Sequence, residues 1–134
     1  MNIKDERVLD VQSGADREGQ DVLAWKKHNG LNQRWKILYL DEKADEPTSG
    51  LDKESGFYLN RPFRFYSRLP QKRVLTVHGQ HGHILVIRKM KADDKNQQFY
   101  FDHLSRTIKS KSYKGYSIDM GKQSSGKGKN PVVW

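Results

Sequence analysis

The chain has 134 residues, 34% of them hydrophobic, no cysteine and a net charge of +9. That length supports one domain with a modest core, the lack of cysteine excludes a disulfide scaffold, and no apolar run is long enough to cross a membrane as a helix. Absence of cysteine leans towards a reducing, intracellular compartment, and the opening MNIKDERVLD lacks the apolar stretch of a signal peptide.

Short apolar runs rich in Val, Ile, Leu, Tyr and Phe alternate with breaks containing Gly, Asn, Asp or Lys, and no window sustains an amphipathic helix over three turns. In chain order, strands are predicted near 8–11, 22–25 and 34–40, with at most a stub before them at 2–4. A second group follows near 63–67, 74–77, 84–88 and 98–102, and a third near 106–110, 116–120 and 132–134. Between the first two groups, residues 41–55 read DEKADEPTSGLDKES, an inserted loop. Pro47, Pro62, Pro70 and Pro131 fall in loops or at strand edges, where a missing N–H is tolerated.

The groups are copies of one another. Val8-Leu9-Asp10-Val11 leads to Trp25 and then to Asn32-Gln33-Arg34-Trp35. Val74-Leu75-Thr76-Val77 leads to Asn96-Gln97-Gln98-Phe99, and Ser117-Ile118-Asp119-Met120 leads to Trp134. Asp10 to Trp25 and Asp119 to Trp134 both span fifteen residues, with Gly19 and Gly128 at the same offset. The copies start 66 and 43 residues apart, and removing about twenty residues around the insert brings both intervals towards forty. Such periodicity means stacked repeats within a single domain spanning 1–134: repeats at about 1–40, 56–103 and 104–134, with the insert at 41–55.

Residues 41–54 hold six acids and two bases, which leaves about +13 on the remainder. Bases gather at Lys26 and Lys27, through 61–73, at Arg88, Lys89 and Lys91, and through 122–129. A surface of this kind attracts polyanions such as sulfated glycan, nucleic acid or acidic protein, although the bases are scattered through turns and not concentrated in one run.

The ordered set Leu9-Asp10-Val11, Trp25 and Gln33-Arg34-Trp35 resembles the R-type (ricin B-like) lectin module. The resemblance implies an all-β fold, a β-trefoil of three pseudo-repeats of four strands, the third incomplete at its C-terminal strand because no Gln-X-Trp follows Trp134. A cut module of a longer chain, whose other modules would then be partners, explains this more simply than exchange of strands between chains.

A sugar presents hydroxyl edges and apolar C–H faces, so a site needs a carboxylate or amide for the former and an aromatic plate for the latter. The resemblance implies that Asp10 accepts from two neighbouring hydroxyls, Trp25 stacks on the ring, Asn32 contacts the same hydroxyls and Gln33 supports the Asp. His28 is placed at the rim and Trp35 in the core. Leu23 stands where sites of this family often have Gln, which removes a polar partner. In the second copy Thr76 replaces Asp, the aromatic position falls on Ile87 or a neighbouring Lys, and Asn96 and Gln97 only tie the loop to the barrel. The third copy keeps Asp119 and Trp134 as a weaker second site, with Val132 at the Gln position.

Other constellations are weaker. The stretch 121–128, GKQSSGKG, lacks the Ser or Thr that should follow the lysine of a phosphate loop and leads into a strand. His78, His81 and His83 are close in sequence, but no Cys or acid accompanies them at ligand spacing, so no metal site is expected. Phe65 and Tyr66, interleaved with bases, fit core positions on a strand better than a stacking surface. With no nucleophile elbow, no cysteine and acids remote from candidate bases, the chain reads as non-catalytic and without a cofactor. The expected partner is a glycan or glycoprotein. The rivals are a structural or protein-interaction module that has lost sugar binding, and a basic surface that takes sulfated glycan or nucleic acid.

Overall fold

The computed structural model describes residues 7–40, 51–59, 61–78, 84–113, 117–119 and 132–133. Three antiparallel hairpins and a set of barrel strands make up these residues, joined by 3-10 turns, and no α-helix occurs among them. In the first hairpin, β1 (Arg7–Val11) pairs with β2 (Val22–Lys26) in the register Val8↔Trp25, Asp10↔Leu23 and Val11↔Val22. In the second, β5 (Val74–His78) pairs with β6 (Ile84–Arg88), with Val74 opposite Arg88 and Thr76 opposite Val86. In the third, β9 (Ile118–Asp119) pairs with β10 (Val132–Val133), with Asp119 opposite Val132.

Barrel strands link the repeats. β3 (Trp35–Tyr39) closes the first repeat and pairs along its whole length with β4 (Phe63–Ser67), which opens the second. β4 meets β7 (Phe99–Asp102) at Phe63↔Phe99. β7 in turn pairs with β8 (Thr107–Ser110), the opening strand of the third repeat. This is the pairing scheme of an all-β trefoil. The strands lie where the apolar runs predict them, to within two residues at their ends.

Period-2 alternation explains the packing. Val11 and Val22 are fully buried in the core cluster and Leu9 packs against it. Val8, Asp10, Leu23 and Trp25 occupy the opposite face of the same hairpin. The core is strongly aromatic. Phe57 stacks on Phe63 at 5.3 Å and on Phe101 at 5.4 Å. Phe65 meets Phe63 and Phe99 edge-on at 5.2 and 5.5 Å. Phe63 and Phe99 are fully buried; truncating either to Ala would cost about 3–5 kcal/mol. Of the interleaved aromatics, Phe65 is a core residue while Tyr66 is half-buried.

The last part of the acidic insert, from Leu51 onward, is folded. Leu51 bridges Tyr58, the Asp52 N–H donates to Phe57 O, and the Gly56 N–H donates to Asp52 O. Arg106 at the start of the third repeat grips Asp52 with two guanidinium nitrogens, at 3.1 and 2.8 Å. Those bonds, with help from Ser55, hold the Asp52 carboxyl well below the usual carboxylate range. The same pair raises Arg106 further. Ser105, and then Lys109, lower Asp102.

Candidate functional site

The outward face of the first hairpin carries Asp10, Leu23 and Trp25 side by side. They join His28 and Asn32 around an open pocket of about 470 Å³, whose remaining wall is Gln12, Ser13 and Gly14. Asp10 is 4% exposed. A carboxylate this deeply buried must be compensated by donors. Asn32 Nδ2 donates to Oδ1 at 3.2 Å. Gln33 Nε2 donates to Oδ2 at 2.8 Å. The His28 Nε2 approaches Oδ2 at 3.4 Å. Of about four lone-pair positions on a carboxylate, the two amides take one on each oxygen.

Gln33 is saturated. Its Oε1 accepts the N–H groups of His28 at 2.7 Å and Asn29 at 3.3 Å. Its Nε2 is shared between Asp10 and Lys26 O, the latter at 2.9 Å. It therefore has no hydrogen-bonding capacity left for a ligand and acts by holding Asp10 and the 27–31 loop. Asn32 spends both amide protons, one on Asp10 and one on Val11 O at 3.1 Å, so any further bond it makes is as an acceptor. The Gly30 N–H donates to His28 Nδ1 at 3.0 Å. That bond places the imidazole proton on Nε2, facing Asp10. Trp35 lies outside the pocket: its Nε1 donates to Leu9 O at 3.2 Å and its ring meets Phe65 edge-on.

Two features were not singled out from sequence. One is Gly30. A Cβ built there would stand 2.7 Å from His28 Cε1 and 2.8 Å from Asn32 Oδ1, so the close approach of these two side chains requires glycine. The signal was the Asn29-Gly30 pair, a turn dipeptide; Asn29 indeed has φ +65°. The other is the wall formed by Gln12–Gly14, a tight turn in which Ser13 and Gly14 both have positive φ. It begins immediately after the Asp-bearing strand. Its loop is latched to the second repeat. Arg73 Nη1 donates to Asp16 O at 2.7 Å and to Asp16 Oδ1 at 3.0 Å, and Arg73 Nε donates to Glu18 Oε1 at 3.0 Å. The N–H groups of Gln71 and Lys89 add bonds to Asp16 Oδ2 and Glu18 Oε1.

The second repeat keeps the scaffold without the acid. Gln97 is fully buried; its Oε1 accepts the Lys91 N–H at 2.8 Å and its Nε2 donates to Lys89 O at 2.9 Å. These bonds match those of Gln33 to His28 N and Lys26 O, so Gln97 ties its loop to the barrel as expected. Thr76, at the Asp position, is buried and donates to Val74 O. The expectation of Ile87 or a Lys at the aromatic position is corrected by the register. Trp25 faces Val8 two residues before Asp10, and the residue facing Val74, two before Thr76, is Arg88. Ile87 belongs to the alternate face and is fully buried in the core.

In the third repeat, the Asp119↔Val132 pair repeats the Asp10↔Leu23 register. Trp134, the Asp119 side chain, the stub at 2–4, His81, His83 and residues 121–128 lie outside the described residues. His78 is described, and its Nδ1 lies 3.0 Å from Arg88 Nη2.

No protein-family model matches the sequence, and no curated protein does. Solved structures match the fold. The designed three-fold symmetric protein ThreeFoil superposes with a TM-score of 0.70 at 17% identity, over 97% of this chain and 82% of that one. The Vibrio vulnificus hemolysin/cytolysin β-trefoil lectin, solved with N-acetyl-D-lactosamine, gives 0.60 at 24% identity over 96% and 76%. The earthworm R-type lectin C-half, in complex with GalNAc, gives 0.61 at 14% identity over 96% and 79%. At these identities the likeness establishes a shared β-trefoil fold.

Proposed function

We propose that the chain is a non-catalytic carbohydrate-binding module that takes a glycan in the first repeat. The observation that carries this reading is the state of Asp10. It is a buried carboxylate, fixed by Asn32 and Gln33, in a pocket that Trp25 also lines. Asp10 and Asn32 can offer a ligand only acceptors, so the ligand must bring donors. The indole and Leu23 add an apolar surface. A ring that carries adjacent hydroxyls on one edge and C–H groups on a face meets both demands. Lectins among the structures that share the fold are consistent with this reading.

One shallow site of this kind binds a monosaccharide with a dissociation constant on the order of millimolar; tighter attachment comes from several modules acting together. A glycan array followed by titration of the wild type and Asp10→Ala tests the proposal. Binding that disappears in the variant is the expected result. Undiminished binding in Asp10→Ala removes the first repeat as the site, and silence across the array ends the carbohydrate reading.

A further inference from the structure

The second repeat offers the same face with its charge reversed. The matching Gln33 and Gln97 bonds and the two hairpin registers align the repeats residue by residue. Asp10 becomes Thr76, Leu23 becomes Val86, Trp25 becomes Arg88 and Asn32 becomes Asn96. His28, whose N–H is held by Gln33 Oε1, becomes Lys91, whose N–H is held by Gln97 Oε1. The carboxylate at the centre of the first site is thus a hydroxyl in the second, and the positions around it carry cations.

Arg88 and His78 stand on either side of the Thr76↔Val86 pair, on the same face of the hairpin. Their side chains meet across it, with Arg88 Nη2 at 3.0 Å from His78 Nδ1. Guanidinium is only a donor, so His78 Nδ1 is the acceptor and the contact fixes the arginine over Thr76. The remaining guanidinium donors form a planar fork suited to an oxyanion. Loop 89–97, which presents Lys91, is held by Arg64 Nη2 on Ala92 O at 3.0 Å as well as by Gln97. Three nearby acids bear on this face: Glu18, which accepts the Lys89 N–H at 2.9 Å, Asp94 and Asp21. Asp94 accepts the Asn96 N–H at 2.9 Å, and Asp21, bridge partner of Val86, lies on the adjoining edge.

We propose that this face of the second repeat, centred on Arg88 with His78 and Lys91, is a binding site for an oxyanion group, the sulfate of a sulfated sugar. It is a separate site from the Asp10 pocket and does not depend on the latter's ligand.

The test is an amide NMR titration of the 134-residue chain at constant ionic strength. The probes are inorganic sulfate, N-acetylglucosamine 6-sulfate and unsulfated N-acetylglucosamine. Both sulfated probes are expected to shift the amides of 76–78 and 88–91, and the unsulfated sugar to leave them unmoved. Tighter binding of the sulfated sugar than of inorganic sulfate assigns the site to sulfated glycan; equal binding assigns it to the oxyanion alone. Arg88→Ala should weaken the response by about tenfold or more, as expected for loss of a charge-assisted bidentate contact. Arg88→Lys should retain part of it, Asp21→Asn should strengthen it, and Asp10→Ala should leave it unchanged. Preserved chemical-shift dispersion in each variant establishes that it is folded. No response at 88–91, or shifts spread over exposed lysines that survive Arg88→Ala, overturns the proposal.

Discussion

The side-chain amide of Gln33 donates to Oδ2 of Asp10 at 2.8 Å, a bond that its counterpart Gln97 lacks because Thr76 stands at the Asp position. Both glutamines tie a loop to the barrel, but only Gln33 also fixes an acid. Replacing each should therefore separate stability from recognition. Gln97→Ala removes a fully buried side chain and leaves the Lys91 N–H and the Lys89 carbonyl without their partner, which should cost about 1–3 kcal/mol in chemical denaturation, with glycan affinity unchanged. Gln33→Ala should lose a similar amount of stability and also weaken glycan binding by about tenfold or more, since Asp10 loses its shortest bond. Equal effects of the two variants on binding would sink the distinction.

Gly30 has φ −70° and ψ 162°, ordinary extended backbone that alanine adopts. The added methyl of Gly30→Ala runs first into the side chains of His28 and Asn32. Expected is a several-fold loss of glycan affinity with a stability change within about 1 kcal/mol. Calorimetric titration paired with thermal unfolding checks this; a variant that binds normally would show that the His28 and Asn32 positions are not needed.

Arg73 joins the loop carrying the Gln12–Gly14 wall to the second repeat through Asp16 and Glu18. Because its side chain is 20% exposed and that of Asp16 17%, removal leaves a carboxylate and a carbonyl poorly solvated. Arg73→Ala should destabilise the fold by about 1–3 kcal/mol and raise exchange of the 12–21 amides with solvent deuterium more than that of the β5–β6 hairpin. Uniform exchange across both would remove the latch.

Acid stability should depend on the Arg106–Asp52 clasp. Asp52 is depressed in the folded state by its bonds from Arg106 and Ser55. A depressed carboxylate stabilises fully above its unfolded value and loses that contribution as pH falls through its folded value. Stability should thus decline below about pH 4, helped by Asp102, lowered in the same direction. In Arg106→Gln the fall should be shallower, with lower stability at neutral pH and convergence with the wild type in strong acid. Parallel curves would show that the clasp contributes nothing.

Local pattern was enough to specify much of this protein. Apolar alternation placed the strands, because a period of two admits one buried face, and the recurring Asp, aromatic and Gln-X-aromatic spacing carried the resemblance that implied a trefoil. The same resemblance singled out Asp10, Trp25, His28 and Asn32, which the structure brings to one pocket, with Gln33 behind Asp10. Those positions are legible because they sit at set offsets along a single hairpin and its following loop. Tertiary structure decided the rest. Which β6 residue matches Trp25 depends on hairpin register, and a shift of one residue exchanges core Ile87 for surface Arg88. The Arg73 latch and the Arg106–Asp52 clasp join residues more than fifty positions apart, and the need for glycine at 30 comes from how closely His28 and Asn32 converge. Spacing along a chain encodes what lies on one hairpin; distances between hairpins exist only once the barrel has packed them together.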